Sequence, residues 1–154
     1  MKRVFLRGII TILAVPLLLL GCAAPAPPEM PALQGGQEAV TVALSEDTFR
    51  AENHIVRDIE LVRPGSLIVS LGANPTTGFE WGDAQISASG VVTEQSRVFV
   101  PPQTEGSMAG APGKNVWVFD SLAAGTTTVR MGYSRPWAGG EKDVWTLTLN
   151  VTVK

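Results

Sequence analysis

Chemistry needs a nucleophile, a base, a metal site or a surface shaped to bind, and this chain of 154 residues is poor in the first three. Its one histidine, His54, lies in a polar stretch with no Asp, Ser or Cys partner near it in sequence, and reads as an ordinary surface side chain. Its one cysteine, Cys22, follows an apolar run, where a catalytic thiolate is not expected. A metal site built from His and Cys would need more of both. Four carboxylates, Glu80, Asp83, Glu94 and Asp120, could meet in space as a hydrolytic pair. A solvated strand face explains them more often. There is no G-x-S-x-G elbow and no glycine-rich phosphate loop leading into a helix. No cofactor, metal or catalytic residue is therefore expected. The net charge is −2, which leaves no basic footprint for nucleic acid.

Binding is the better use of the unusual residues, which fall into three stretches. The first is Asn74-Pro75-Thr76-Thr77-Gly78. Pro75 fixes one backbone angle, Asn74 can bond its own backbone, and Gly78 permits a positive φ. Thr76 and Thr77 are stiff at χ1. This loop is expected to be rigid and to present two hydroxyls. The second runs from Pro101 to Lys114, around Gly106-Ser107-Met108-Ala109-Gly110-Ala111-Pro112-Gly113, where small residues allow close backbone approach and Met108 can adapt to an apolar pocket. The third is Tyr133-Ser134-Arg135-Pro136-Trp137-Ala138-Gly139-Gly140. Trp and Arg are enriched at binding hot spots. Trp137 either stands exposed or folds back onto the core.

Strands must position these loops. Val40, Val42 and Leu44 alternate with other residues, as do Leu67, Val69 and Leu71, and then Thr127, Val129, Met131 and Tyr133. Ile59 and Leu61 lead into the turn Arg63-Pro64-Gly65. Phe79 and Trp81, Val91 to Val100, Val116 to Phe119 and Val144 to Val153 complete about eight strands. No amphipathic helix of ten or more residues is visible. The pattern predicts an all-β sandwich or barrel. Trp81, Trp117 and Trp145 lie in strands and are expected to be mostly buried. One cysteine allows no internal disulfide, so packing alone must hold the fold.

The start of the chain is organised differently. Lys2, Arg3 and Arg7 precede an apolar run from Gly8 to Leu20, and Leu19-Leu20-Gly21-Cys22 follows. This pattern describes an export signal over residues 1–21. Its end resembles a bacterial lipobox, which implies cleavage before Cys22, lipid on its sulfur and anchoring to the bacterial cell envelope. Loss of the leader leaves nine basic residues against fourteen acidic, a charge of −5. Residues 22–38, AAPAPPEMPALQGGQE after the cysteine, have the composition of an extended tether. The folded domain is expected over residues 39–154.

Asn74-Pro75-Thr76-Thr77-Gly78, then a glycine-containing loop before Trp117-x-Phe119, then Tyr133-x-Arg135-Pro136-Trp137, resemble in order and spacing the chagasin family of cysteine peptidase inhibitors. In the second loop Gly110 and Gly113 match the ends of the family's Gly-x-Gly-Gly pattern, and Pro112 stands where a glycine is usual. The resemblance implies an immunoglobulin-like β-sandwich of seven to eight strands. It also implies a reversible, monomeric inhibitor of papain-like cysteine peptidases. Its first loop would cover the catalytic cysteine, while Gly110, Gly113, Arg135, Pro136 and Trp137 grip the cleft from either side. The alternative is an exported immunoglobulin-like binding or adhesion lipoprotein of the cell envelope, since such sandwiches serve many functions.

Overall fold

The computed structural model describes residues 38–102 and 110–154. The leader, Cys22, the tether up to Gln37 and the segment from Gln103 to Ala109, which includes Gly106, Ser107 and Met108, lie outside the described residues.

In chain order the elements are β1 (Glu38–Leu44), α1 (Glu46–Ala51), β2 (His54–Leu61), β3 (Gly65–Ala73), a 3-10 turn (Pro75–Thr77), β4 (Glu80–Trp81), β5 (Gln85–Ile86), β6 (Val92–Val100), β7 (Gly113–Ser121), β8 (Gly125–Ser134) and β9 (Trp145–Val153). The alternating runs are strands, as their period of two requires. β1 opens at Glu38, the residue expected to close the tether. Two elements were not foreseen. β5 has two residues, too few to show alternation. The six-residue α1 carries a single buried side chain, Phe49, so it shows no helical period.

Two sheets face each other. One has the order β1-β3-β7-β6, the other β2-β9-β8-β4, with β5 also paired to β8. Leu67, Val69, Leu71, Trp117 and Phe119 of the first sheet are buried against Ile55, Val129, Met131, Leu147 and Leu149 of the second. Each such side chain contributes roughly 1.5–3 kcal/mol on burial. β1 runs parallel to β3, from Glu38 beside Gly65 to Leu44 beside Leu71. β2 runs parallel to β9, from His54 beside Thr146. The connection 45–53, with α1 in it, therefore crosses between the sheets at the end where β3 finishes and β9 begins. No helix among the described residues is long and apolar enough to cross a membrane.

That end of the core is aromatic. Tyr133 stacks on Trp145 at 4.8 Å between ring centroids and meets Trp81 at 5.1 Å and Phe79 at 5.6 Å. Phe49 joins from α1, 5.0 Å from Trp81 and 5.6 Å from Trp145. Trp81 and Trp117 are fully buried, as expected. Trp145 is only half-buried. It is the first residue of its strand, so Tyr133 and Phe49 cover it while the end of the sandwich leaves the rest open. The other end is closed by short turns. Ser121 Oγ accepts from the Gly65 amide at 3.0 Å and lies 3.0 Å from the carbonyls of Val62 and Gly65. Arg63 Nη1 donates to the Leu122 carbonyl at 3.3 Å.

Candidate functional site

The three singled-out loops join β3 to β4, β6 to β7 and β8 to β9, and all three leave the aromatic end. The first is organised by Asn74. Its Oδ1 accepts from the Thr76 amide at 3.2 Å and the Thr76 hydroxyl at 2.6 Å. Its backbone amide donates to the Tyr133 hydroxyl at 3.1 Å, which ties the loop to the aromatic floor. The Thr77 hydroxyl donates to the Asn74 carbonyl at 2.7 Å and accepts from the Phe79 amide at 3.4 Å. Both threonine protons are thus spent inside the loop. The two hydroxyls expected on this loop are there on exposed residues, and their protons also stiffen the turn. Gly78 ends the turn at φ +78°, in the left-handed region that favours glycine.

The second loop meets the first directly. Asn74 Nδ2 donates to the Gly110 carbonyl at 3.0 Å. Gly110 has φ +98° and is exposed. Gly113 sits elsewhere than a free loop: it opens β7, paired with Ala73. A Cβ there would come 2.5 Å from the Phe99 ring and 2.6 Å from the Val100 carbonyl, so packing explains this glycine. Pro112 is exposed beside it.

The third loop meets the first through Trp137, whose ring would lie 2.9 Å from a Cβ placed on Gly78. Trp137 is nonetheless 51% exposed, which settles the choice between surface and core. Arg135 sets its position. Its guanidinium is 4.6 Å from the Phe79 ring centroid and 5.7 Å from that of Trp137, with Glu141 at 3.7 Å. A cation between two rings adds about 0.5–2 kcal/mol of attraction. Lys142 Nζ donates to the carbonyls of Arg135 and, at 3.1 Å, Trp137. Asp143 braces the return with a salt bridge to Arg130 at 2.8 Å. Pro75, Thr76, Thr77, Pro136 and Trp137 are the exposed crest of one continuous surface.

The remaining candidates lie apart from this crest. His54 is exposed, and its Nδ1 lies 3.0 Å from Thr146 Oγ1, a partner that only strand pairing could reveal. Asp83 pairs with Arg97 at 2.8 Å, and Asp120 accepts from Ser66 at 2.8 Å. Arg97 also donates to the Trp81 carbonyl and stacks 5.2 Å from the Trp117 ring centroid. Lost hydration raises the pKa of Glu94 above its usual value, with Arg97 opposing and Asp83 adding to the rise. Among the described residues no group of three or more His, Cys, Asp or Glu could hold a metal ion. The crest thus offers shape, apolar surface and a preorganised backbone. Sequence reasoning missed α1, although Ser45 ahead of Glu46 and Asp47 carries a helix-start signal.

Comparison with known proteins adds the family context. The model of the chagasin family peptidase inhibitor I42 matches residues 63–151, more than half of the chain. Amoebiasin-2 of Entamoeba histolytica is 31% identical over 86 residues, which cover 56% of this chain and 68% of that protein. Chagasin of Trypanosoma cruzi is 33% identical over 87 residues, covering 53% and 76%. The crystal structure of the cysteine protease inhibitor EhICP2 from Entamoeba histolytica has a TM-score of 0.59 at 24% identity, covering 77% of this chain and 100% of that one. PbICP-C, solved in complex with falcipain-2, has a TM-score of 0.50 at 15% identity, covering 76% and 99%. These two likenesses show a shared fold.

Proposed function

The chain belongs to the chagasin family of peptidase inhibitors, and we propose that it inhibits papain-like cysteine peptidases reversibly, as a binding protein and not as an enzyme. The observation that carries this reading is the meeting of the three loops at one end, with Trp137 exposed on their crest. The loop Asn74–Gly78 enters the active-site cleft, while the second loop, through Gly110, and the third, through Arg135, Pro136 and Trp137, lie against its two sides. Gly113 supports the second loop from β7.

A physical account of why the inserted loop is not cut follows from its shape. Peptidases bind substrate extended, with the carbonyl in line with the attacking sulfur. Residues 75–77 form a 3-10 turn locked by four bonds to Asn74 and by Pro75. Unwinding it to a near-attack geometry would break those bonds. The ordered turn also loses little entropy on binding.

The test is a set of inhibition constants for papain with melting curves alongside. Trp137→Ala should weaken inhibition about thirtyfold, the equivalent of about 2 kcal/mol for a central aromatic anchor. Thr77→Ala should weaken it as well, through a looser turn. Both should melt near the parent. Parent-like inhibition by both variants, or a parent that binds no papain-like peptidase, would sink the reading in favour of an immunoglobulin-like adhesion or binding module.

The proposal extends to location. The Leu19-Leu20-Gly21-Cys22 ending supports a lipid-anchored envelope protein, monomeric and held by a Pro-rich tether. Radiolabelled palmitate should enter the wild-type chain and not Cys22→Ser. Equal labelling of both would end that account.

A further inference from the structure

The outer face of the sheet β1-β3-β7-β6 is apolar at its centre. Trp117 and Phe119 belong to the core, so Val116 and Val118, which alternate with them along β7, point the other way. Strand pairing puts Ile68 beside Val118 and Val98 beside Val116 on that same face. Val116 and Val118 are 4% and 8% exposed, yet no described element lies over them. The second sheet packs on the opposite face, and α1 crosses at the loop end. Lys114 continues the row toward the loops. It is exposed and has no ion-pair partner among the described residues.

The chain ahead of β1 suits this face. It joins at Glu38, on the edge strand of the same sheet, and Gly35-Gly36 just before it permits a reversal. Residues 23–34 hold four prolines, which favour a polyproline helix of three residues per turn and about 3.1 Å per residue. Pro27, Met30 and Leu33 then form one apolar ridge. Prolines lack the N–H that a strand added to the β1 edge would need, so the face suits them and the edge does not. The one charge between Cys22 and Gln37 is Glu29. From Leu33 to Glu29 this helix spans about 12 Å. From Val118 to Lys114 strand β7 spans about 13 Å. With Leu33 over Ile68 and Val118, Glu29 comes to Lys114.

We propose that residues 27–34 fold back over this face within the same chain, with Met30 and Leu33 on the valines and Ile68 and with Glu29 paired to Lys114. The contact removes the apolar ridge and the valine face from water together. It leaves the loop crest untouched, and it depends neither on the peptidase reading nor on lipid at Cys22. Residues 22–26 alone are then the free link, so a chain anchored at Cys22 has a short reach.

The experiment couples carboxylates to amines at zero length with a carbodiimide, on the full chain in non-ionic detergent, and maps the links by mass spectrometry. Glu60 and Lys154, 2.7 Å apart, are the internal standard for a folded domain. A Glu29–Lys114 link should form at a yield like that of the standard. The double variant Met30→Asp, Leu33→Asp changes only residues ahead of the two sheets, so the standard should persist while the Glu29–Lys114 link falls about tenfold. In a mixture of isotope-labelled and unlabelled chains, the link should join residues of one chain only. No Glu29–Lys114 link beside a strong standard, or an undiminished link in the double variant, overturns the inference. A link that joins labelled to unlabelled chains overturns it too, and makes a second copy the occupant of the face.

Discussion

The two ends of this sandwich are built from different materials. At one end five aromatic rings, Phe49, Phe79, Trp81, Tyr133 and Trp145, form a floor, and three loops and a helix stand on it. At the other, β2 turns into β3 and β7 into β8 within a few residues, and one serine hydroxyl ties the turns together. Aromatic rings give wide, flat, rigid support and, through the Tyr133 hydroxyl, one polar handle for the loop above. A hydroxyl hub gives compact closure and nothing to bind with. The difference teaches that the first and third loops are held from beneath, by the core, as much as by their own prolines.

Removing part of the floor should have the largest effect. Trp81 is fully buried, touches Phe49 and Tyr133, and donates from Nε1 to the Gly72 carbonyl at 2.9 Å. Trp81→Ala should cost about 3–5 kcal/mol and abolish inhibition with it, seen as a collapsed melting curve. Ser121→Ala breaks the hub at the other end and leaves the buried Gly65 amide unpaired, a loss of about 1–3 kcal/mol. Its inhibition constant should stay unchanged. A Ser121→Ala protein that melts lower and also inhibits poorly would break the comparison, because the two ends would then be coupled.

The smallest effect is expected along β6, between the ends. The Glu94 pKa is raised above 4.5. From 4.5 upward to that raised value the folded chain keeps a proton that the unfolded chain has lost. Stability from this group is therefore present at acid pH and lost as pH rises through that window. Glu94→Gln should flatten this slope in pH-dependent melting and leave neutral-pH stability equal or slightly higher. A lower melting point at neutral pH would mean that the carboxylate instead supports Arg97.

Much of this was legible because its signals are local. Pro75 and Gly78 bound a turn, and alternation at Leu67, Val69 and Leu71 marks a strand, whatever lies elsewhere in the chain. What escaped depends on partners far away in sequence. Nothing near Asn74 announces that its side-chain amide reaches the Gly110 carbonyl in another loop. The glycine at 113 looked like part of a binding loop, yet Phe99 and Val100 dictate it. His54 looked solitary until β2 paired with β9. Trp137 was undecided for the same reason, since its ring packs over Gly78, far back in the chain.

Parallel pairing of β1 with β3 puts Glu38 beside Gly65, and the Lys154 amide donates to the Leu61 carbonyl at 2.9 Å. Both residues lie at the hydroxyl-bonded end. At about 3.3 Å per residue, β1 carries the chain roughly 20 Å from Glu38 to Leu44, toward the end that holds the loop crest. The molecule therefore has a natural handle. A chip surface, a fluorophore or a second copy joined at that end leaves the crest unobstructed, and two copies linked there could engage two targets at once, with the linker setting the effective concentration of the second.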